Sequence, residues 1–96
     1  MIERKDLMNK TIITVVGKDS IGIIAKICTY LSSKEINVLN ISQTIVDGFF
    51  NMIMIVDMPE TVEFVSVNDE LVNLGEQLGV SIKIQREEIF NKMHRI

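Results

Sequence analysis

Asp47-Gly48 sits between two runs of strand-forming residues and constrains the fold more than any other pair in the chain. A two-residue hairpin loop of type I′ needs φ > 0 at both central positions, and Asp-Gly between apolar runs is a strong short-range signal for it. The flanking runs, Ile36–Val46 and Phe49–Met58, then pair antiparallel, with Val46 opposite Phe49 and the register counting outward from there. One face of this hairpin carries Leu39, Ile41, Gln43 and Ile45 with Phe50, Met52, Met54 and Val56, and is the expected core face. The other carries Val38, Asn40, Ser42, Thr44 and Val46 with Phe49, Asn51, Ile53 and Ile55. That second face is more apolar than a solvated surface requires, and a contiguous exposed apolar patch marks a partner surface. The alternative is that singly exposed apolar residues need no explanation.

Strands and helices fall into order around the hairpin. Thr11–Val16 is rich in β-branched residues and precedes Gly17, which reads as a strand. Both its faces are apolar, so a central strand covered on two sides is expected. Ser20–Lys34 reads as a helix with Asp19 or Ser20 as N-cap, Ile24, Ile27, Cys28 and Leu31 as its buried stripe, and Lys34 in the last turn. Pro59 ends the second hairpin strand, and Thr61 can cap a second helix running to Leu78. Phe64, Val67, Leu71, Leu74 and Leu78 recur at helical spacing, and Gly79 suits the residue just past its end. Val80–Gln85 alternates apolar and polar residues, a half-buried strand. In Glu87–Ile96, Ile89, Phe90, Met93 and Ile96 share a face, which predicts a short closing helix. Right-handed crossovers place the two main helices on one side of one sheet. The prediction is an α+β, ferredoxin-like βαββαβ sandwich: an antiparallel four-stranded sheet, two helices on one face and a short C-terminal helix.

Composition narrows the function classes. Ninety-six residues make one domain, and a domain this size buries too little surface to be more than marginal alone, which favours an oligomer. Residues 1–9 are expected to form a flexible extension, with the domain proper at 10–96. A formal net charge of -3 argues against a nucleic-acid binder, which would carry a basic stripe. No apolar run reaches the ~18–20 residues of a membrane span, and the charged start is not a secretory signal. The single cysteine, Cys28, rules out an internal disulfide and fits a reducing cytoplasm.

Catalytic constellations are scarce. His94 is the one histidine, beside Arg95, and has no zinc-type partner set. Cys28 falls on a buried stripe, whereas a nucleophilic thiol needs an electropositive, partly exposed setting. No spacing of carboxylates marks an acid–base dyad, so no catalysis, metal or cofactor is expected. The stretch that stands out is Gly17-Lys18-Asp19-Ser20-Ile21-Gly22-Ile23, between the first strand and the first helix. Gly17 allows a tight turn and Gly22 a close approach of another backbone or a ligand. A helix start presents unpaired N–H groups and partial positive charge, which suits a carboxylate. Lys18 adds a cation, and Asp19 meets an ammonium or caps the helix. The plainer reading is that the glycines serve only the turn and the packing. The pattern is neither a dinucleotide fingerprint nor a P-loop.

These same residues resemble a known family. Thr14–Ile23, Thr-Val-Val-Gly-Lys-Asp-Ser-Ile-Gly-Ile, is similar to the signature of ACT domains, in which a strand is followed by aspartate-arginine-proline-glycine and an apolar helix. Asp19 and Gly22 match the ends of that motif. Ile36–Gln43 resembles the family's second strand. The resemblance spans about residues 10–96, is strongest to small stand-alone ACT proteins of bacteria and archaea, and extends more loosely to the glycine cleavage repressor. It implies a homodimer with a joined sheet, the tetramer being left open. It also implies a small-molecule ligand, an amino acid, held between the first turn of one chain and the second strand of its neighbour. By position the ligand-binding residues are Lys18, Asp19, Ser20, Ile21, Gly22 and Ile23 from the turn, with Asn37, Val38, Leu39 and Asn40 from the strand. Ser20 and Ile21 replace the arginine-proline pair, which removes a fixed-fork donor and a pre-set φ. The alternative is an interaction module that docks a partner protein through the apolar hairpin face without sensing a ligand. An acylphosphatase-like enzyme on the same frame would need an arginine where the turn has Lys18.

Overall fold

Asp47 and Gly48 both take positive φ, 52° and 80°, and the hairpin forms with Val46 opposite Phe49. The structure, a computed structural model, describes residues 10–18 and 22–86. Its elements are β1 (Lys10–Lys18), α1 (Ile23–Ser33), β2 (Asn37–Val46), β3 (Phe49–Asp57), α2 (Phe64–Leu78) and β4 (Val80–Arg86). They form one antiparallel sheet in the order β2-β3-β1-β4, with α2 packed along β4 and α1 beside β2. This is the βαββαβ ferredoxin-like arrangement expected from the sequence. The closing helix expected over Glu87–Ile96 lies outside the described residues.

One sheet face and both helices share a single core. Ile13 and Val15 of β1 meet Met54 and Met52 of β3 on one side and Ile84 and Ile82 of β4 on the other. All six are buried, and Ile27, Leu31, Val67 and Leu71 close over them from the helices. The alternation of β3 and β4 is thus the one the sequence predicts. In the helices the buried stripe is shifted slightly: Ile23, not Ile24, is fully buried in α1, with Ile24 and Cys28 packed at the core margin.

Four expectations are corrected. Gly17 is not in the turn. It is a β1 residue paired with Phe50 and Val80, and a Cβ there would lie 2.5 Å from Val80 Cγ1. Its smallness serves strand contact. The α1 helix starts at Ile23 with Gly22 as N-cap at φ 90°, not at Ser20; Asp19 and Ser20, the expected caps, lie outside the described residues. Helix α2 likewise begins at Phe64 behind Glu63 rather than near Thr61, because Val62 is taken up in a turn closed by its N–H donating to the Pro59 carbonyl at 3.0 Å. The fourth lies in β2. The register holds from Val46 to Asn40, then shifts, so that Val38 rather than Leu39 faces Val56. A bulge inserts one extra residue in one strand and moves all beyond it to the opposite face. Val38 therefore joins the core margin, whereas Leu39 is exposed.

The sheet's other face lacks a described helix. Its central row runs Ser42, Ile53, Thr14, Lys83, and the next runs Thr44, Asn51, Val16, Ser81. The two-sided cover expected for β1 holds at Ile12, 4% exposed, but not at Val16, 39% exposed.

Candidate ligand site

Helix α1 enters the sheet at Gly22, whose positive φ is a conformation L-residues avoid. A glycine N-cap offers no side chain to the first turn, and that turn carries no acidic residue. The partial positive charge of the helix start is thus unmatched by a first-turn carboxylate. Beneath it lies a cleft of about 470 Å³. Ile23, Ile24 and Ala25 form its roof, and Gln43, Ile45 and Phe50 its floor. Phe50 is 5% exposed, while Ile45, on the edge strand, is 57% exposed. The cleft therefore opens sideways over β2, whose outer edge has no strand partner among the described residues.

A second groove of about 350 Å³ runs along the other end of the same edge. Cys28, Ser32 and Glu35 line it from α1 and its exit, and Asn37 and Val38 from β2. The exit is a Schellman motif: Ile36 N–H donates to Leu31 O at 2.9 Å, and Glu35 N–H to Ser32 O at 3.0 Å. Glu35 takes the left-handed position at φ 61°.

The expected site residues divide between these two places. Lys18 is exposed at the end of β1 opposite Phe49, Gly22 and Ile23 line the first cleft, and Asp19, Ser20 and Ile21 lie outside the described residues. Asn37 and Val38 line the second groove; Leu39 and Asn40 are exposed on the same strand. One chain does not bring the two sets together. Asn37 is level with Asp57 and Lys10, whereas the turn follows Lys18. Eight strand steps at about 3.3 Å separate those levels by roughly 26 Å. Gln43, Ile45 and Phe50 were not among the residues expected at the site; the hairpin register placed Ile45 and Phe50 on the core face but did not show that α1 stops short of covering the sheet edge.

Acid–base chemistry is sparse among the described residues. No three of His, Cys, Asp and Glu are grouped to hold a metal there, and His94 lies outside them. Among the described residues the one strongly perturbed group is Tyr30. Burial, then its hydrogen bond to Glu70, pushes the phenol well above its ordinary value. Tyr30 donates to Glu70 Oε1, and Lys34 Nζ stands 3.4 Å from the same oxygen. The hydrogen bond from Tyr30, ahead of the charge of Lys34, holds the Glu70 carboxyl below its usual range. This trio ties α1 to α2 on the surface and lines neither groove.

The described residues thus form a two-layer sandwich with an open edge strand and clefts along that edge. Comparison with known proteins makes this specific. The family model for the ACT domain matches residues 9–85. A UPF0237 protein of Bifidobacterium longum is 60% identical over 90 residues, covering 93% of this chain and all of that one. Among solved structures, an ACT domain protein from Streptococcus pneumoniae is 40% identical, with a TM-score of 0.76 over 84% of this chain and 92% of that one. A structure described as a glycine cleavage system transcriptional repressor shares the fold, with a TM-score of 0.72 at 21% identity over 80% of this chain and 44% of that one. The chain belongs to the ACT domain family, whose members are generally ligand-binding regulatory modules. No helix among the described residues is long and apolar enough to cross a membrane.

Proposed function

We propose that the protein is a non-catalytic regulatory module that binds an amino acid as a homodimer. The observation that carries this reading is that the cleft under Gly22 opens onto the edge of β2, which has no strand partner among the described residues. A two-fold axis near Ile41 and Ser42 would pair Asn37–Val46 with the same segment of a second copy, antiparallel. Asn37–Asn40 of one copy would then stand across from Gln43–Val46 of the other, beside the cleft roofed by Gly22–Ala25. The two half-sites, about 26 Å apart in one chain, become one site between chains. The helix start and Lys18 suit the ligand's carboxylate, the asparagines offer donors and acceptors, and the apolar cleft takes its side chain. An amino acid that bridges two chains shifts their association by its differential affinity for the dimer. With ligand at ten times Kd the dimer gains about 1.4 kcal/mol, a rise in Tm of roughly 5–10 °C for a domain this size. Thermal melts across the twenty amino acids, with mass in solution measured in parallel, test it. No Tm response from any of them at millimolar concentration would refute amino-acid sensing.

A second reading is favoured by the open sheet face, where Phe49 is 49% exposed and Ile53 42%. There the protein is an interaction module that docks a partner enzyme without a ligand. It predicts that Ile53→Lys breaks an assembly that no amino acid affects; an assembly of unchanged size would remove the contact.

A further inference from the structure

At the end of the sheet away from Gly22, a cavity of about 230 Å³ lies between the start of β1, the end of β4 and the loop that enters α2. Its apolar wall is Met58, 6% exposed, with Val62 and Phe64 packed against the core. Lys10 and Arg86 bring two cations to it, and Glu60 one carboxylate. The Arg86 guanidinium lies over the Phe64 ring, its Cζ 4.9 Å from the centroid. A guanidinium stacked on an aromatic face is held in place with its fork of donors still available at the edge. Phe64 is also the first residue of α2, so the partial positive charge of that helix start falls at the same cavity.

We propose that this cavity is a second small-molecule site, lined by described residues of one chain, that takes a small carboxylate with a short apolar body. Arg86 and Lys10 receive the carboxylate, and the body lies against Met58, Val62 and Phe64. At about 230 Å³ the cavity is smaller than the ~300–1,000 Å³ of a drug-sized ligand pocket, which suits a short branched-chain acid. A compact inorganic anion would leave the apolar wall uncovered, and a neutral molecule would leave the excess positive charge of Lys10 and Arg86 over Glu60 unmatched. The site is independent of the one between copies: it draws on different elements and needs no second chain.

The test is an amide-shift titration of the full isotope-labelled chain by NMR with three probes: isobutyrate, isobutyramide and inorganic phosphate. Isobutyrate moves the amides of Thr11, Val62, Phe64 and Arg86 saturably, leaving Gly22–Ala25 and Gln43–Ile45 in place. Isobutyramide, which lacks the charge, binds up to about fivefold more weakly, the upper scale of one exposed charge pair, and phosphate, which leaves the apolar wall bare, also binds more weakly than isobutyrate. Arg86→Gln lowers isobutyrate affinity by a similar factor, and added salt does the same. Four results would overturn the proposal: no saturable shift up to about 50 mM, a Kd range in which even weak fragments register; shifts confined to the Gly22 cleft; equal binding of all three probes; or an Arg86→Gln protein that binds isobutyrate unchanged.

Discussion

Gly17 shows what a single position can hide. A glycine between a β-branched run and a polar turn reads as part of the turn, because turn chemistry is the commonest local reason for glycine. The reason here is non-local. Gly17 is flanked by β3 and β4, and Val80 leaves no room for a methyl group: Cγ1, Cβ and Cα of Val80 would lie 2.5, 2.9 and 3.1 Å from it. Two of those atoms are not the far end of a flexible chain, so the strand itself must move. Gly17→Ala is therefore expected to destabilise by about 1–3 kcal/mol, the usual range for forcing an extra carbon into a packed site. That lowers Tm by about 4–8 °C per kcal/mol. Val80→Ala removes the closest atom, so the double variant falls short of additivity in denaturant melts. Additive losses would show that Gly17 serves backbone conformation instead. Nothing in the sequence pairs Gly17 with Val80; only the register does.

At the scale of elements, the periodic signals were legible and the irregular ones were not. β3 and β4 alternate cleanly, and the Asp47-Gly48 turn fixes the register of β2 on β3 as far as Asn40. The shift at Leu39 had no sequence mark, because a bulge depends on both strands and on how the edge strand must twist over the core. Val38 and Leu39 are both aliphatic, so the pattern fits either face. The end of α1 was also hidden. Schellman motifs favour glycine at the left-handed position, yet this one has Glu35 at φ 61°. A left-handed conformation costs an L-residue roughly 1–2 kcal/mol, while a new glycine gives back ~0.4–1 kcal/mol through unfolded-state entropy. Glu35→Gly is thus expected to stabilise by about 0.5–1 kcal/mol, read as a higher denaturant midpoint at unchanged slope. A lower midpoint would mean that the Glu35 side chain makes a contribution larger than its backbone strain.

The whole molecule explains why the candidate site was half legible. The turn and the second strand were picked out together by family resemblance, but a single chain holds them at opposite ends of one sheet edge, and no periodicity in one sequence reports a second copy. What the structure adds is the edge itself. β2 is a ten-residue strand with Leu39, Ile41, Ile45 and Val46 all at least 40% exposed, and with unpaired backbone along its outer side among the described residues. Such an edge is a template for another strand unless a charge or bulge blunts it. Here the bulge lies at one end and the segment from Asn40 to Val46 carries no charged side chain. Ile41 stands next to the axis that would relate two copies, so Ile41→Lys places two ammonium groups side by side there and leaves the monomer core untouched. At 40% exposure its effect on the monomer fold is expected to stay within about 0.5 kcal/mol. Sedimentation should then show the parent as a dimer and the variant as a folded monomer at micromolar concentration, with the amino-acid effect on Tm lost together with the dimer. A variant that remains dimeric would move the interface off β2, and would leave the open sheet face, with Phe49 and Ile53, as the surface that joins copies or partners.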